Sequence, residues 1–319
     1  MIKRIHDIIN RNRSFLISSH ERLDGDALGS ELALYQMLIN LGKKAVVYNQ
    51  DNTPGHFQFL PGSEVIIHQL PDIENFDVAF VLDCSELDRV GEEAKRIVKI
   101  ETMINIDHHI SNGGFCEVAL IDPRASSTGE LLFKIMVAMD LALTQEIATN
   151  LYAAILTDTG GFCYSNTTTD SFIAAGQLIA KGASPQWISE NIYENNPLVK
   201  IRLLTKVLET LTFDCNGKVG SMVVLKESLE KTGALPEHTD GFVDLPRTVQ
   251  GVEVSILFSE LSEQNFKLSM RSKGRFNVER IAKRFGGGGH TNAAACRIKG
   301  DVSAVKRLVF AEIEASCKP

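Results

Sequence analysis

Short apolar runs alternate with helical patterns along the first 190 residues of the chain. The first run, residues 14–19, is followed by residues 26–42, where apolar side chains recur at helical spacing and the pattern ends on Gly42. Further strands are predicted at 44–49, 77–83, 102–107 and 117–122, and further helices at 127–139, 144–157, 168–181 and 185–194. The strand segments are continuously rich in Val, Ile and Leu, which is typical of parallel strands covered on both faces. The alternation therefore predicts a doubly wound α/β domain.

The rest of the chain has a different order of elements. Asn195, Asn196 and Pro197 interrupt the pattern and a helical segment follows them, so residues 191–211 are predicted to connect two domains. Strands are then predicted at 218–225, 252–261 and 265–272, and helices at 277–285 and 302–316. We therefore expect a larger α/β domain over residues 1–190 and a smaller α+β domain over residues 212–319.

Length and composition agree with two ordinary globular domains. The chain has 319 residues, 44% of them apolar and 23% charged, which is enough for two hydrophobic cores. No apolar run approaches the ~20 residues that a membrane span needs. The N-terminus lacks the continuous apolar segment of a signal peptide, which favours a cytoplasmic protein. The six cysteines lie at least 21 positions apart, so a cysteine-based zinc site is not expected.

The net charge of −7 conceals two parts of opposite sign. Residues 1–195 carry 14 Lys and Arg against 26 Asp and Glu, a net charge of −12. Residues 196–319 carry 19 against 14, a net charge of +5. An acidic part attracts cations and a basic part attracts phosphates, although a drift in surface charge would give the same asymmetry.

Acidic residues and histidines follow several of the predicted elements. His20, Asp24 and Asp26 come directly after the first strand, and Asp83 ends the strand at 77–83. Two further groups are Asp107, His108 and His109 at the end of the strand at 102–107, and Asp158 at the end of a predicted helix. Ligands of an open parallel sheet bind outside the carboxyl ends of its strands, where such side chains converge.

The chemistry of these residues favours a metal site. Carboxylates gathered without Lys or Arg between them are unfavourable unless a cation neutralises them. Imidazole and carboxylate ligands without thiolate favour Mn²⁺, Mg²⁺ or Fe over structural zinc. Two ions ~3.5–4 Å apart, sharing one bridging Asp, could use all the candidates and would clamp both oxygens of a phosphoryl displacement. The ligand candidates are His20, Asp24, Asp26, Asp83, His108 and Asp158.

Each cluster also has a purely structural explanation. Asp24 and Asp26 could cap the helix that begins near residue 26, and Asp83 could be an ordinary turn residue at a strand end. A lone histidine is more often structural than a ligand, whereas the adjacent pair His108 and His109 after an Asp is harder to explain in that way. Taken together, the clusters favour the metal site. The chain contains neither a G-x-S-x-G nor a G-x-x-x-x-G-K-[ST] motif.

A second candidate site lies at the glycine run 286–289, which precedes His290. Four glycines exceed what a helix stop needs and would let backbone N–H groups approach a phosphate closely. The basic residues that precede the run are Arg271, Lys273, Arg275, Arg280, Lys283 and Arg284. A flexible hinge beside a solvated helix face is the alternative explanation.

Four segments resemble, in order, the motifs of the DHH phosphoesterase family: HERLDGD (20–26), VLDCSELDRVG (81–91), NIDHHISN (105–112) and LTDTGGF (156–162). SMRSKGR (269–275) and GGGGHTNAAA (286–295) resemble its associated substrate-binding domain. The resemblance spans nearly the whole chain. In length and domain content the chain is most similar to members that act as oligoribonucleases and as phosphatases of 3′-phosphoadenosine 5′-phosphate (pAp).

The resemblance implies a role for each matching residue. One Mn²⁺ would be held by His20, Asp24 and Asp83, and a second by Asp26, Asp83, His108 and Asp158. Asp107 would orient His108, and His109 would face the scissile phosphate, so the expected catalytic residues are Asp83, Asp107 and His109. Mg²⁺ or another divalent ion could replace Mn²⁺.

The resemblance also implies a substrate-binding set in the C-terminal domain. Its members are Arg271, Ser272, Gly288, Gly289 and His290. Leu23 and Ala295 stand where the family usually has Pro and Gly, and neither is an expected ligand. Ala295 could alter the backbone approach near the phosphate.

The sequence therefore predicts a two-metal, manganese-dependent enzyme that hydrolyses short oligonucleotides and dinucleotides such as pApA, with 3′-phosphatase activity on pAp. The expected partners are short single-stranded RNA or DNA and small nucleotides, with no membrane, and a homodimer is left open. A cyclic di-AMP phosphodiesterase of the same family is the alternative. From another class, a catalytically silent nucleotide-binding regulator is distinguished by binding without hydrolysis.

Overall fold

The computed structural model of the protein describes residues 1–274 and 276–316, with the side chains of His290 and Ser316 outside the description. The chain divides into two compact units, Met1–Asn195 and Asn196–Pro319. The elements of the first unit are α1 (Ile2–Arg11), β1 (Ser14–Ser18), α2 (Gly25–Asn40), β2 (Lys44–Tyr48), β3 (Ile66–Ile67), β4 (Val78–Leu82), α3 (Ala94–Ile97), β5 (Thr102–Asp107), β6 (Val118–Ile121), α4 (Thr128–Ala138), α5 (Gln145–Asp158), α6 (Thr169–Ala180) and α7 (Pro185–Ser189).

Strands β1 to β6 form one parallel sheet in the order β3-β2-β1-β4-β5-β6. The chain winds from β1 out to β3, returns to place β4 on the other side of β1, and continues outward to β6. The prediction of a doubly wound parallel sheet is confirmed. The direction of winding reverses between β1 and β4, and the carboxyl ends of strands at such a reversal form a crevice that binds ligands.

Both faces of this sheet are covered. All of β4 is buried, with Val78, Phe80 and Leu82 in a core shared with α2, α4 and α5. Ala79 and Val81 lie in a second core that also includes residues of α3. Successive side chains of a strand point to opposite faces, so the continuous apolar run of β4 reflects two cores rather than one.

Helices α2 and α5 approach closely at Gly29. A Cβ added to this glycine would lie 2.4 Å from the carbonyl oxygen of Asn150 and 3.0 Å from the Cβ of Ala154. The absence of a side chain at Gly29 therefore sets the separation of the two helices, which carry Asp26 and Asp158 at their ends.

The second unit is a smaller α+β domain, as predicted. Its elements are α8 (Leu198–Leu208), β7 (Thr212–Asp214), β8 (Val219–Val224), α9 (Lys226–Thr232), β9 (Val254–Ser262), β10 (Asn265–Ser272), α10 (Val278–Arg284), β11 (Gly288–His290), β12 (Ala293–Lys299) and α11 (Val302–Ser316). The strands form a sheet in the order β11-β12-β10-β9-β8-β7, in which only the β8–β9 pair is parallel among the described residues. Helices α10 and α11 pack on one face of this sheet.

Part of the glycine-rich segment is a strand rather than a loop. Gly288, Gly289 and His290 form the edge strand β11, which pairs with β12. Glycine and alanine are depleted in strands, so the local sequence of this hairpin did not predict it. The hairpin is held in place because β12 pairs with β10 from Asn265 to Arg271.

Among the described residues, every helix is too short or too polar to cross a lipid bilayer.

We expect Gly29→Ala to destabilise the first unit. The new methyl group would overlap a backbone oxygen that no rotamer change can move, and such overpacking costs about 1–3 kcal/mol. The free energy of unfolding can be measured by urea titration of the full chain with the fluorescence of Trp187, the single tryptophan, which lies in the first unit.

The matched control is Gly176→Ala in α6, because a Cβ there would meet nothing within 4 Å. This change should stabilise the helix by roughly 0.5–1 kcal/mol through the lower entropy of alanine in the unfolded chain. Equal shifts of both variants in the same direction would contradict the close-packing argument.

Candidate metal centre

The candidate ligands meet at the carboxyl edge of the first sheet. β1, β4 and β5 are neighbours, and they deliver His20, Asp83 and the Asp107–His109 segment to the same edge. Helix α2 begins beside this edge with Asp24 and Asp26, and α5 ends there with Asp158. The structure therefore brings together every residue that the sequence predicted as a metal ligand.

The first ligand group contains His20, Asp24 and Asp83. His20 Nδ1 donates a hydrogen bond to the carbonyl oxygen of Glu21 at 2.7 Å, which fixes the proton of a neutral ring on Nδ1. Its Nε2 then faces Asp83 Oδ2 at 3.3 Å and Asp24 Oδ2 at 3.7 Å. Three atoms with lone pairs converge here, so either a proton on Nε2 or a cation is needed among them.

The second ligand group is built around His108. Its Nε2 lies 3.5 Å from Asp83 Oδ1, 3.5 Å from Asp158 Oδ2 and 3.7 Å from Asp26 Oδ2. Asp83 thus presents one carboxylate oxygen to each histidine. The side chain of Asp83 is only 3% exposed, so solvent screens these charges weakly.

The backbone of Asp83 is itself unusual. Its φ of +51° lies in the left-handed region, directly after β4. A non-glycine residue in this region costs about 1–3 kcal/mol, and such conformations concentrate at functional sites. The main-chain N–H of Asp83 donates to the carbonyl oxygen of Ile106 at 3.0 Å, which ties the residue to the neighbouring strand β5.

Backbone donors hold the two aspartates of α2. Asp24 caps the helix, and its Oδ1 accepts from the N–H groups of Asp26 and Ala27 at 3.1 and 3.0 Å. Asp26 is buried and accepts from the N–H groups of Thr128 and Gly129 at 2.7 and 2.9 Å, at the start of α4. Capping and ligation are therefore compatible for Asp24, because the other carboxylate oxygen faces His20.

Asp107 contacts the histidine pair differently from the expectation. Its Oδ1 accepts from Nδ1 of His109 at 2.6 Å and from the main-chain N–H groups of His108 and His109 at 2.8 and 3.2 Å. The expected orientation of the His108 ring by Asp107 is therefore corrected: Asp107 orients the ring of His109 and only the backbone of His108. The cause is the turn after β5, which folds the second histidine back over the carboxylate.

Three polar residues outside the predicted site residues support the carboxylates, and one of them, Thr128, lies in the segment 126–128, which also resembles the family although capping of the following helix explains it equally well. Asn112 donates to Asp107 Oδ2 at 2.6 Å, Thr128 Oγ1 donates to Asp83 Oδ1 at 3.1 Å, and Asn166 donates to Asp158 Oδ2 at 3.2 Å. Each satisfies a carboxylate oxygen that carries part of the site's charge. Asn112 lies within a motif segment and Thr128 opens a helix, so both positions offered a weak signal, whereas Asn166 offered none.

The crowded charges raise the pKa of some groups in the cluster and lower the pKa of others. Burial and the charges of Asp83, Asp158 and Asp24 raise the pKa of Asp26 well above its usual range. Desolvation and the negative charges of Asp83 and Asp24 raise the pKa of Asp158 to about 7, although the nearby His108 acts to lower it.

His20 and Asp83 stabilise each other's charged forms. Burial lowers the pKa of His20, but the hydrogen bond to Asp83 and the charges of Asp24 and Asp83 outweigh it and raise the pKa to about 9. Burial likewise acts to raise the pKa of Asp83, yet the contacts with His20, His109 and His108 hold it well below its usual range. Protons on these groups thus offset part of the negative charge of the carboxylates.

The donor set fits a divalent cation. In each group one ligand atom per residue lies within 4.8 Å of the others, and a third group joins Asp83, His108 and His109. All donors are imidazole nitrogens or carboxylate oxygens, which suit Mn, Mg or Fe ions better than soft metals. These groups could hold divalent metal.

The substrate-binding set predicted in the second unit lies where β10, β11 and β12 meet. Arg271 and His290 both pair with Ala293 in the strand register. Ser272 is only 2% exposed, and its hydroxyl donates to the carbonyl oxygen of Phe276 at 2.6 Å and accepts from Asn292 at 2.9 Å. Its hydroxyl thus holds the turn after β10. Arg275 and the side chain of His290 lie outside the described residues.

Two glycines of the run have a packing requirement. A Cβ on Gly287 would lie 2.1 Å from the carbonyl oxygen of Ala295, and one on Gly289 would lie 2.4 Å from that of Ala293. Both glycines therefore allow the edge strand to lie against β12, which is a structural reason for part of the glycine run.

Comparisons with known proteins cover both units. The model described as "DHH family, N-terminal domain" matches residues 14–155, and the DHHA1 domain model matches residues 218–318. The first match includes the candidate ligands except Asp158, which lies three positions beyond its end.

Relatives match over most of their length. A protein of Thermus thermophilus described as "Bifunctional oligoribonuclease and PAP phosphatase NrnA" is 34% identical over 285 residues, covering 89% of this chain and 84% of the relative. A Bacillus subtilis protein of the same description is 25% identical over 308 residues, covering 96% and 95%. The crystal structure of an exopolyphosphatase-related protein from Bacteroides fragilis superposes with a TM-score of 0.91 at 29% identity, covering 98% and 94%. The resemblance inferred from the motifs is confirmed, and the chain belongs to the DHH family of phosphoesterases.

Proposed function

We propose that the protein is a manganese-dependent phosphoesterase that cleaves short oligonucleotides to mononucleotides and removes the 3′-phosphate of pAp. The observation that carries this proposal is the division of the Asp83 carboxylate between His20 and His108. One carboxylate shared between two groups of ligands suits a pair of neighbouring divalent ions. The description of the Thermus and Bacillus relatives as bifunctional oligoribonuclease and PAP phosphatase supports the substrate class.

In this proposal the ligands divide into two sets that share Asp83. His20 and Asp24 complete the first set, and Asp26, His108 and Asp158 complete the second. When bound, the ions would act as Lewis acids on the phosphate and would lower the pKa of water at neutral pH. The imidazole and carboxylate donors favour Mn²⁺, with Mg²⁺ as the next candidate.

The remaining residues would orient and stabilise the substrate. Asp107 fixes the ring of His109 through Nδ1, so the opposite nitrogen, Nε2, is the atom that would donate to a phosphoryl oxygen. Burial opposes protonation of His109, but the hydrogen bond that its Nδ1 donates to Asp107 and the charges of nearby carboxylates raise its pKa, which favours the donating form. In the second unit, Arg271 with Gly288, Gly289 and His290 would bind the far phosphate or end nucleotide.

We expect Asp83→Ala to abolish turnover of every substrate. The substitution removes the ligand shared by both sets, so the loss of kcat should exceed the ~10–100-fold typical of losing a group outside the metal's own ligands. The measurement is a hydrolysis panel with Mn²⁺ that contains pApA, a five-nucleotide RNA, pAp, cyclic di-AMP and pyrophosphate.

The matched control is Asp77→Ala, which removes an exposed aspartate just before β4, at the opposite end of the same strand. Its carboxylate accepts from the N–H groups of Arg13 and Ser14, so some stability but no turnover should be lost. Substantial activity of Asp83→Ala would contradict the shared-ligand assignment. Preference for cyclic di-AMP would favour the alternative substrate, and tight binding without hydrolysis by the unaltered protein would favour a regulator.

Added Mn²⁺ should stabilise the first unit more at higher pH. His20 gains a proton on folding below its raised pKa of about 9, so the stability that it contributes is present below about pH 6.5 and disappears as the pH rises through 9. Asp158, with its pKa raised to about 7, binds a proton in the folded state between about pH 4 and 7, so stability again falls as the pH rises. A metal replaces these protons and binds best when its ligands are deprotonated.

The measurement is the shift in the thermal midpoint of Trp187 fluorescence on adding Mn²⁺. The shift should be larger at roughly pH 8.5 than at roughly pH 5.5, and it should vanish in Asp83→Ala. A shift that persists in that variant, or that does not depend on pH, would show binding elsewhere.

Substitution of Arg271 by glutamine should raise KM with little change in kcat. Loss of a contact made equally in the ground and transition states has this signature, and one charged hydrogen bond corresponds to about a tenfold change or more. The assay is steady-state hydrolysis of pApA. The control is Arg280→Gln on the exposed side of α10, for which no change is expected; a fall in kcat alone for Arg271→Gln would point to a different role.

A further inference from the structure

Helices of the second unit pack unequally on the two faces of its sheet. On the side away from α10 and α11, helix α8 and its neighbours pack against Met222, Val224 and Leu257 of β8 and β9. Among the described residues, that core takes no side chain from β10, β11 or β12. The positions of these three strands on the side away from α10 and α11 are here called the open face. They are Asn265, Lys267, Ser269 and Arg271 of β10, Gly288 of β11, and Ala293, Ala295, Arg297 and Lys299 of β12.

Burial alternates along β10 as this assignment requires. Phe266, Leu268 and Met270 lie in the core with α10 and α11, whereas Lys267 and Arg271 between and after them are partly exposed. The alternation continues in β12, where Arg297 and Lys299 are exposed and the residues between are buried. The open face is therefore a half-solvated sheet surface.

The charge of the open face is entirely positive. Its nine positions hold four Lys or Arg residues and no Asp or Glu. Lys267 stands directly opposite Arg297 in the antiparallel register. Two cations at directly opposed positions concentrate positive charge at one point of the face, which favours the binding of an anion.

Small residues separate two basic ends of the open face. Ser269, Ala295 and Gly288 form the middle row, because Ala295 pairs with both of the others. Arg271 marks one end and the Lys267–Arg297 pair marks the other, four strand positions or ~14 Å apart. The face is three strands wide, ~10 Å across. Its shape is a shallow, narrow track with cations at both ends.

A ligand that matches this track is thin, polyanionic and several charges long. A single-stranded sugar-phosphate backbone has these properties, and phosphate contacts supply most of the affinity of sequence-independent nucleic-acid binding. The open face carries no Phe, Tyr or Trp, so it lacks the stacking platform that holds bases. Phosphates rather than bases are thus the groups that it can recognise.

We propose that Lys267 and Arg297 bind the phosphates of the nucleotides that follow the one held near Arg271, and thereby set the preference for chain length. This inference rests on the proposed function, since it concerns the substrate of the same protein. Mononucleotides and dinucleotides engage the Arg271 end alone. Longer single strands gain affinity from the Lys267–Arg297 pair, without any requirement on sequence.

The test compares binding and turnover in full-length protein carrying Lys267→Gln and Arg297→Gln together. Binding of a fluorescent five-nucleotide RNA is measured in EDTA by anisotropy over a range of salt concentrations. Each phosphate contact with a single strand contributes about 0.7 to the slope of log affinity against log salt, so the slope should fall by about 1.4. That corresponds to about 25-fold weaker binding at about 0.1 M salt, taking 1 M as reference. Turnover of pAp and pApA should change less than about twofold.

The matched control is the double variant Arg280→Gln and Arg307→Gln. It removes the same charge from exposed positions on α10 and α11, on the other side of the sheet, and should leave the salt slope unchanged. An equal loss in both double variants would mean that only net charge matters and would overturn the proposal. Unchanged RNA binding would also overturn it, as would a change of oligomeric state by light scattering with RNA affinity retained, since a second copy would then cover the face.

The two proposals fail in different ways. If the unaltered protein hydrolyses none of the nucleotides, the proposed function is wrong, yet the binding measurement in EDTA still decides the role of the open face. If hydrolysis proceeds but the salt slope is the same for the unaltered protein and the Lys267/Arg297 variant, the proposed function stands and the open face does not bind RNA.

Discussion

The structure of the first unit depends on how the negative charges at one edge of its sheet are neutralised. Asp83, which is almost completely buried, lies within 3.5 Å of three histidines, and Asp24, Asp26 and Asp158 face two of them, His20 and His108. Carboxylates this close repel one another strongly when solvent cannot screen them. The raised pKa values of Asp158 and His20 express this crowding, because a proton on either group lowers the repulsion among the carboxylates. A divalent cation would neutralise the same carboxylates and would displace these protons.

The fold supplies the restraints that keep this cluster together. Strand ends fix His20 and Asp83, and the left-handed backbone at Asp83 aims its carboxylate between neighbours. The helices contribute through close approach: a Cβ on Gly25 would lie 2.5 Å from Thr157 Oγ1, and one on Gly129 would lie 2.5 Å from the Cβ of Ala154. These contacts bring the starts of α2 and α4 to the end of α5. The N–H groups at the start of α4 then stabilise Asp26, as helix N-termini stabilise anions generally. The strained backbone and the repulsion among carboxylates lower the stability at the site, and the close packing of the helices around it offsets this loss.

How much of this the sequence could predict depends on the kind of element that carries each residue. Ligands at strand ends were predictable, because the carboxyl ends of parallel strands converge and a continuous apolar run identifies such strands. Asp158 ends a helix, so its place beside His108 depends on how α5 packs on α2; the sequence named it as a candidate, and the resemblance to the family assigned it to the second ion. The pairing of Asp107 with His109 rather than with the His108 ring depends on one turn after β5, which no periodicity encodes. The β11–β12 hairpin was not predicted for a related reason. Its glycines and alanines have little strand propensity, but the pairing of β12 with β10 outweighs this low propensity.

The opposite charges of the two units have a consequence for affinity. The first unit carries a net charge of −12, and two divalent cations would cancel only about a third of it. Its long-range field therefore still opposes the approach of a nucleotide even when the proposed metal site is full, and attraction from the ions acts only at short range. The long-range attraction that binds a polyanion would therefore have to come from another part of the chain. The second unit, with its net charge of +5 and a sheet face without acidic residues, is the part that can provide it. In the proposed function, chemistry and affinity would thus be separated between the acidic first unit and the basic second unit.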